Sequence, residues 1–301
     1  MKTISIISAP SNLGLVPKAG GELAGVNKMP EALLNAGLLQ KLNAEYRGTV
    51  PVPAYERTRD EGNFILNARP IREFSLALAS EVEAVVRDDK FPLVLGGDCS
   101  ILLGNMLALK RVGRYGLFFL DGHADFYQPS PQLTDNGVAG MDLAFATGRG
   151  DDILSNLAGE KPLVRDEDVV VFGFRDMEEA GRLKMPPLSA TALKTLNLLQ
   201  IRESGIAEAV NDALRTLRKN DLDGFWIHLD ADVLDDEIMP AVDSRQPGGL
   251  SYEELTEILR LSFSSGGAVG MHIGIFDPEL DETGGIAAKF AEAVVRGFNE
   301  N

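Results

Sequence analysis

The chain has 301 residues, 45% of them hydrophobic and 25% charged, a composition typical of a globular protein with one sizeable α/β core. Its formal net charge of −16 argues against nucleic acid or an anionic membrane as a partner, and its apolar stretches are too short to span a membrane. The single cysteine excludes an internal disulfide and, with no signal-peptide pattern in the first 25 residues, predicts a cytoplasmic location.

Apolar runs and helical periodicity alternate along the chain in the order expected of a parallel sheet with helices on both faces. We predict strands near residues 2–8, 48–53, 91–96, 116–121, 168–173, 224–230 and 268–276. We predict helices near residues 29–42, 71–88, 101–111, 203–219, 252–264 and 285–298. No long Gly-, Ser- or Pro-rich linker and no repeat interrupts this order. Residues 1–301 are therefore predicted to form a single three-layer α/β/α domain with a central, mostly parallel sheet.

Two short acidic segments follow predicted buried strands. Residues 121–125 read Asp-Gly-His-Ala-Asp, and residues 230–232 read Asp-Ala-Asp. Side chains at i, i+2 and i+4 of an extended chain share a face, so the acids and the histidine of each segment would point the same way. The carboxyl ends of parallel strands, where ligands bind in open α/β sheets, would bring both segments together.

Four carboxylates and an imidazole in one place repel each other strongly unless cations compensate them. Two divalent metal ions that share carboxylate bridges need about this many ligands. The alternative is a set of solvated loop aspartates and helix N-caps, which is what most aspartates after strands are. The repeated spacing in both segments favours the metal interpretation.

These motifs resemble the signatures of the ureohydrolase family, which includes arginase, agmatinase, guanidinobutyrase and formiminoglutamase. The family's GGDHS-like turn corresponds to GGDCS at 96–100, its DxHxD segment to 121–125 and its DxDxxD segment to DADVLD at 230–235. The likeness covers essentially the whole chain in the family's order. It implies an arginase-like fold and a homo-oligomer, either a trimer or a hexamer.

The resemblance also implies a pair of manganese ions that share a bridging hydroxide, which attacks the central carbon of a guanidinium or amidine. Asp125 would accept a proton from that hydroxide as it attacks. The ligands carried over by position are His123 and Asp232 for one ion, Cys99 and Asp125 for the other, and Asp121 and Asp230 as bridges between them.

Cys99 stands where the family usually has a histidine ligand. As a ligand it would be a thiolate, so four aspartates and one thiolate would carry −5 against +4 from two divalent ions. A thiolate shifts preference from manganese towards zinc or iron, and the two sites would become unequal. The alternative is a small buried cysteine with no ligand role.

The proton donor of the reaction also differs from the arginase pattern. Arginases carry a proton-shuttling histidine in the loop that corresponds to 136–141, where this chain has Ala139. His228 is a candidate for this catalytic role because strand alternation places it on one face with Asp230 and Asp232. A role in packing or in supporting a ligand is the alternative for His228.

Three further positions bear on the substrate. Where arginase and agmatinase have a Glu that pairs with the guanidinium, this chain has Ile275, which removes a bidentate, orienting contact. An apolar wall would fit a less basic group, such as an N-hydroxyguanidine, a formimino group or an amide. Asp135 and Glu178 fall near positions where arginases hold the amino-acid end of the substrate, and both could equally be solvated loop acids.

We therefore expect a metal-dependent hydrolase that cleaves a linear C–N bond in a guanidino- or amidino-type small molecule, releasing urea or an amide plus an amine. Two divalent ions are its expected cofactors, manganese first and zinc or iron as alternatives because of Cys99. The other functions left open are hydrolysis of an N-hydroxyguanidino, formimino or acyl-amide substrate, and a non-catalytic arginase-like protein that binds a small molecule or a partner subunit.

Overall fold

The computed structural model describes residues 2–59, 61–131, 137–219 and 221–299. One eight-stranded sheet organises them, with the strand order β2-β1-β3-β8-β7-β4-β5-β6, and every pair of neighbouring strands is parallel. The strands are β1 Ile4–Ser8, β2 Glu45–Thr49, β3 Phe91–Leu95, β4 Gly116–Leu120, β5 Val169–Phe172, β6 Lys194–Leu196, β7 Phe225–Asp230 and β8 Ala268–Gly274.

Helices cover both faces of the sheet. They are α1 Met29–Asn35, α2 Leu38–Lys41, α3 Ala68–Arg87, α4 Ile101–Val112, α5 Asp142–Ala146, α6 Asp152–Ser155, α7 Met177–Arg182, α8 Leu198–Ser204, α9 Ile206–Leu217, α10 Tyr252–Ser264 and α11 Gly285–Asn299. Among the described residues, no helix combines the length and apolar character that crossing a bilayer requires.

Alternation along the strands sorts the core into two layers. Phe118 and Leu120 of β4 pack with the cluster that includes α1 and α9 to α11, whereas Leu117 and Phe119 pack with α3 to α5 on the other face. Strands buried on both faces read as continuous apolar runs, which is why the central strands were predictable. The arrangement confirms the predicted three-layer α/β/α fold, and its sheet is parallel throughout.

The differences from the predicted elements lie mainly at the edges of the sheet and in short helices. Strand β2 is an exposed edge strand at Glu45–Thr49 rather than at 48–53, and the three-residue edge strand β6 was not predicted. The helix expected over 29–42 is two helices because Gly37 adopts a left-handed backbone (φ +87°) between them. Gly205 (φ +83°) likewise separates α8 from α9, and the short helices α5 to α8 carry too few residues for a periodic signal.

The topology gathers distant chain segments at one place. Strands β3, β8, β7 and β4 are neighbours at the centre of the sheet. Their carboxyl ends lead into the segments 96–100, 275–278, 230–232 and 121–125 respectively. The sequence motifs therefore meet at the carboxyl edge of the sheet, where open α/β folds bind their ligands.

Candidate metal centre and cavity

The turn after β3 presents Cys99 to the end of β7. A Cβ at Gly97 would lie 1.5 Å from the Ser11 carbonyl oxygen, so only glycine lets the two backbones pass this closely. Asp98 accepts hydrogen bonds from the Ser11 hydroxyl at 2.8 Å and from the Ser100 amide at 2.9 Å. With the turn held in this way, the buried Cys99 thiol donates to Oδ2 of Asp230 at 2.8 Å.

The segment after β4 turns its acids inward. Oδ1 of Asp121 accepts from the His123 backbone amide at 2.7 Å, and Nδ1 of His123 lies 2.8 Å from Oδ2 of Asp232. Asp125 ends the segment in a left-handed backbone conformation (φ +44°), which aspartate tolerates better than most residues. Nε2 of His123 lies 3.1 Å from the Ser244 hydroxyl, which orients the ring.

Three overlapping groups of side chains have ligand atoms within 4.8 Å of one another. Asp121 belongs to two of the groups, and Cys99 also belongs to two. The groups are Cys99, Asp121, His228 and Asp230; Cys99, Asp125 and Asp142; and Asp121, His123 and Asp232. The structure thus brings all six predicted metal ligands together.

The electrostatics of this cluster fit divalent cations. Burial raises the pKa of Asp121, Asp125 and Asp230 well above the ordinary value, and neighbouring carboxylates add to each shift. Burial likewise raises the pKa of the Cys99 thiol. Both oxygens of Asp142, although fully buried, have no hydrogen-bond partner among the described residues. Such an uncompensated cluster is what bound cations stabilise.

His123 and Asp232 form an ion pair when no cation is bound. Burial opposes protonation of His123, but the Asp232 carboxylate and its hydrogen bond outweigh burial and raise the pKa of His123 to about 10. Burial acts to raise the pKa of Asp232, but the positive charge on His123 outweighs burial and lowers it. A ligating histidine must be neutral, so a cation that takes this position displaces the proton on Nδ1.

Behind Asp121 a chain of hydrogen bonds runs across the middle of the sheet. Nε1 of Trp226 donates to Nδ1 of His272 at 2.7 Å, and Nε2 of His272 lies 2.5 Å from Nδ1 of His228. Nε2 of His228 then lies 3.1 Å from Oδ2 of Asp121. The two histidines are register partners on β7 and β8, and the His228 ring stacks on Phe119 at 4.1 Å.

These hydrogen bonds all run in one direction, because the Trp226 indole can only donate. Burial lowers the pKa of His228 to about 3 and lowers that of His272 well below its usual value, so both rings are neutral. His272 accepts on Nδ1 and therefore donates from Nε2 to His228, which in turn donates from Nε2 to Asp121. His228 consequently has no free lone pair for a metal ion, although its ring lies beside the cluster.

His228 also takes no part in the cavity wall. It is fully buried, and the residues that line the cavity do not include it. The role of proton shuttle therefore stays a prediction for His228: strand alternation does bring it beside Asp121, but outside the cavity wall.

The cluster lies at the floor of a cavity of about 790 Å³. Its wall includes Cys99, His123, Asp125, Asp230 and Asp232, together with Ala139 and Ile275. Ile275 is 3% exposed and has a left-handed backbone (φ +71°), an unfavourable conformation for a β-branched residue. Such strain clusters at binding sites, where surrounding contacts enforce it. Here the Ile275 amide donates to the Gly97 carbonyl at 2.7 Å.

The two predicted substrate-binding acids have different positions. Asp135 lies outside the described residues, so its role stays a prediction. Glu178 is exposed on α7 and is not among the residues that line the cavity, whereas the next residue, Glu179, lines it. The role proposed for Glu178 also stays a prediction, and Glu179 is the acid that this helix brings to the wall.

Asp142 is a functional candidate that the sequence motifs did not reveal. The loop that corresponds to the histidine-bearing loop of arginases ends at Met141, one residue before it. The available signal was the composition of 137–146, where Asp142 is the only charged residue among small and apolar ones. A lone acid in such a run must be buried with a partner or lie at a site.

Comparisons with known proteins agree with this geometry. Residues 2–298 match the model of the Arginase family. An arginase of Staphylococcus aureus is 30% identical over 99% of this chain and 98% of its own length, and one of Brevibacillus brevis is 32% identical over 84% and 83%. The solved structure of the Bacillus caldovelox arginase superposes with a TM-score of 0.86 at 27% identity, covering 100% of this chain and 99% of that one. The chain belongs to the arginase family.

Proposed function

We propose that this chain is a metal-dependent amidinohydrolase that cleaves a linear C–N bond of a guanidino- or amidino-type small molecule and releases urea or an amide with an amine. The observation that carries this proposal is the set of three overlapping ligand groups at the floor of a cavity large enough for such a molecule. Membership in the arginase family supports the same reaction class.

Within the cluster each side chain has a proposed task. Asp121 and Asp230 would bridge two cations, which agrees with the membership of Asp121 in two ligand groups. His123 would bind through Nδ1, on the side of Asp232, and keep its Nε2 proton for Ser244. The remaining cation would be held by the pair formed by Cys99 and Asp125.

Two divalent cations held here would activate water as a nucleophile at neutral pH and act as a Lewis acid towards the substrate. Asp125 lies on the cavity wall within the ligand cluster, so its carboxylate can take the proton that the attacking water loses. The same carboxylate can return that proton to the departing amine. This second step replaces a separate shuttle, because Ala139 offers no titratable group on the wall.

The substrate end of the cavity favours a weakly basic group. Ile275 contributes an apolar surface to the wall, so no carboxylate at this position can pair with a guanidinium. This observation favours an N-hydroxyguanidino, formimino or similar neutral amidine substrate as the second candidate, within the same mechanism. The substitution Ile275→Glu tests it: kcat/KM should shift about tenfold or more towards cationic guanidino compounds relative to neutral amidines.

Manganese is the first ion that we propose, with zinc and iron as alternatives because of Cys99. We also propose a homo-oligomer and a cytoplasmic location, on family resemblance and on the single reduced cysteine respectively.

The deciding experiment is elemental analysis of protein reconstituted with manganese or zinc, followed by urea and ammonia assays with guanidino, N-hydroxyguanidino, formimino and acyl-amine compounds. Close to two ions per chain and turnover of one of these classes would support the proposal. No bound ion under any condition would leave a binding protein on a hydrolase fold.

A further inference from the structure

Asp142 is a buried carboxylate without compensation. It is the first residue of α5, it is 0% exposed, and neither of its oxygens has a hydrogen-bond partner among the described residues. Leu143, Ala144 and Phe145, which follow it, are also buried. Burying a carboxylate among such neighbours without a partner is costly, and native proteins rarely keep such a group without a role.

The position of Asp142 shows what could compensate it. A carboxylate oxygen of Asp142, the Cys99 sulfur and a carboxylate oxygen of Asp125 all lie within 4.8 Å of one another. Ligands of one ion have this spacing, and the three side chains are all buried. Asp142 is not among the residues that line the cavity, whereas Cys99 and Asp125 are.

We propose that Asp142 is a direct ligand of the cation held by Cys99 and Asp125, an additional carboxylate in the centre. The inference rests on the proposed binuclear function and specifies which residues hold one of the two cations. This ligand set contains no histidine, and the Cys99 thiolate together with the extra carboxylate takes the place of one.

The extra carboxylate changes which ion this half prefers. Cys99 alone would favour soft or borderline ions, whereas a second carboxylate in the same site adds a hard oxygen donor that suits manganese. It also adds negative charge: five aspartates and one thiolate carry −6 against +4 from two divalent ions. We therefore expect the site to bind its cation tightly and to release it slowly.

The test compares Asp142→Asn with two reference variants. Asp121→Asn removes a bridging ligand, and Asp168→Asn removes an equally buried carboxylate that pairs with Arg114 at the opposite, amino-terminal end of the strands. For each variant we would measure the number of ions per chain and both dissociation constants, by competition with a chelating dye. The cobalt-substituted proteins would add an absorption spectrum that reports the ligand set.

For Asp142→Asn we expect one of the two ions to bind about tenfold or more weakly, the other to be unchanged and the cobalt spectrum to shift. Asp168→Asn should leave both affinities as in the wild type. Two ions bound with wild-type affinity by Asp142→Asn would overturn this inference alone, whereas a wild-type protein that binds no ion would refute the proposed function itself.

Thermal melts provide a second test of the inference. Asp142→Ala can replace Asp142→Asn in this test if the Asn variant is difficult to purify. Removing this carboxylate should shrink the increase in melting temperature that metal ions cause. A residue with a structural role only would instead lower the melting temperature in both states, and this result would contradict ligation by Asp142.

Discussion

Replacing Cys99 by serine tests whether the thiol becomes a metal ligand. In the metal-free protein the Cys99 thiol is protonated, because it donates to Asp230 and burial raises its pKa. The metal-binding form is the thiolate, so ligation must expel this proton, whereas a serine hydroxyl keeps its proton. Serine is close to cysteine in size, so the buried turn should accept it.

The expected magnitude follows from that one proton. The wild-type affinity for the ion at this site should rise by one more power of ten per pH unit than the affinity of Cys99→Ser, which is about 1.36 kcal/mol per unit. Calorimetric titration in buffers of different ionisation enthalpy counts the released protons directly. The wild-type protein should release one proton more than the variant does.

Cobalt substitution provides an independent measurement. Because the chain contains one cysteine, any thiolate-to-cobalt charge-transfer absorption must come from Cys99. We expect this band in the wild type and its loss in both Cys99→Ser and Cys99→Ala. Equal proton release by wild type and variants, together with a wild-type cobalt spectrum that lacks the band, would refute ligation by Cys99.

Three further predictions concern the surroundings of the centre. Trp226→Phe removes the donor to Nδ1 of His272, which should cost about 1–3 kcal/mol of unfolding free energy and change the His272 ¹⁵N shifts. A wild-type spectrum that shows a protonated Nδ1 on His228 or His272 would contradict the proposed direction of these hydrogen bonds. The metal-free protein should lose stability from pH 7 to 9, because His123, with a pKa raised to about 10, keeps a proton that the unfolded chain releases above its ordinary value of 6.5. The metal-loaded protein should lose less stability over this range, or gain some, since protons compete with cations for the ligands. Identical melting profiles with and without chelator would count against the metal site. Gly97→Ala should abolish folding, since its Cβ would lie 1.5 Å from the Ser11 carbonyl oxygen. Gly181→Ala is the control and should be tolerated, because the space around Gly181 is open. A soluble, folded Gly97→Ala protein would disprove the close approach of the Gly97 and Ser11 backbones.

The part of the site that sequence could predict depends on two simple regularities. Alternation along a buried strand predicts which side chains share a face, and parallel strands end at one edge, so these two rules place Asp121, His123 and Asp230 together. The apolar runs of β4 and β7 made those strands visible. Edge strands β2 and β6 lack such runs because they are exposed or half-buried, and their positions were therefore misplaced or missed.

What sequence could not predict depends on contacts between segments distant in the chain. The direction of the hydrogen bonds from Trp226 to Asp121 requires the register of β7 against β8, which no local pattern encodes. Alternation alone made His228 a candidate catalyst, although the packing places it beside Asp121 and outside the cavity wall. Asp142 lies on a five-residue helix, too short for a periodic signal; its place as the lone acid in an apolar run marked it as unusual, but its position beside Cys99 follows only from the fold.

The strand order has a consequence for how the protein is synthesised. Strands β7 and β8, the last two in the chain, lie in the middle of the sheet and separate β3 from β4. A nascent chain that has emerged only as far as β6 can pair β1 to β3 as one ribbon and β4 to β6 as another, with no strand to fill the gap between β3 and β4. Cys99 and Asp121 therefore stay on separate ribbons until residues 225–274 leave the ribosome and insert between them, and the candidate metal centre is assembled at the end of folding.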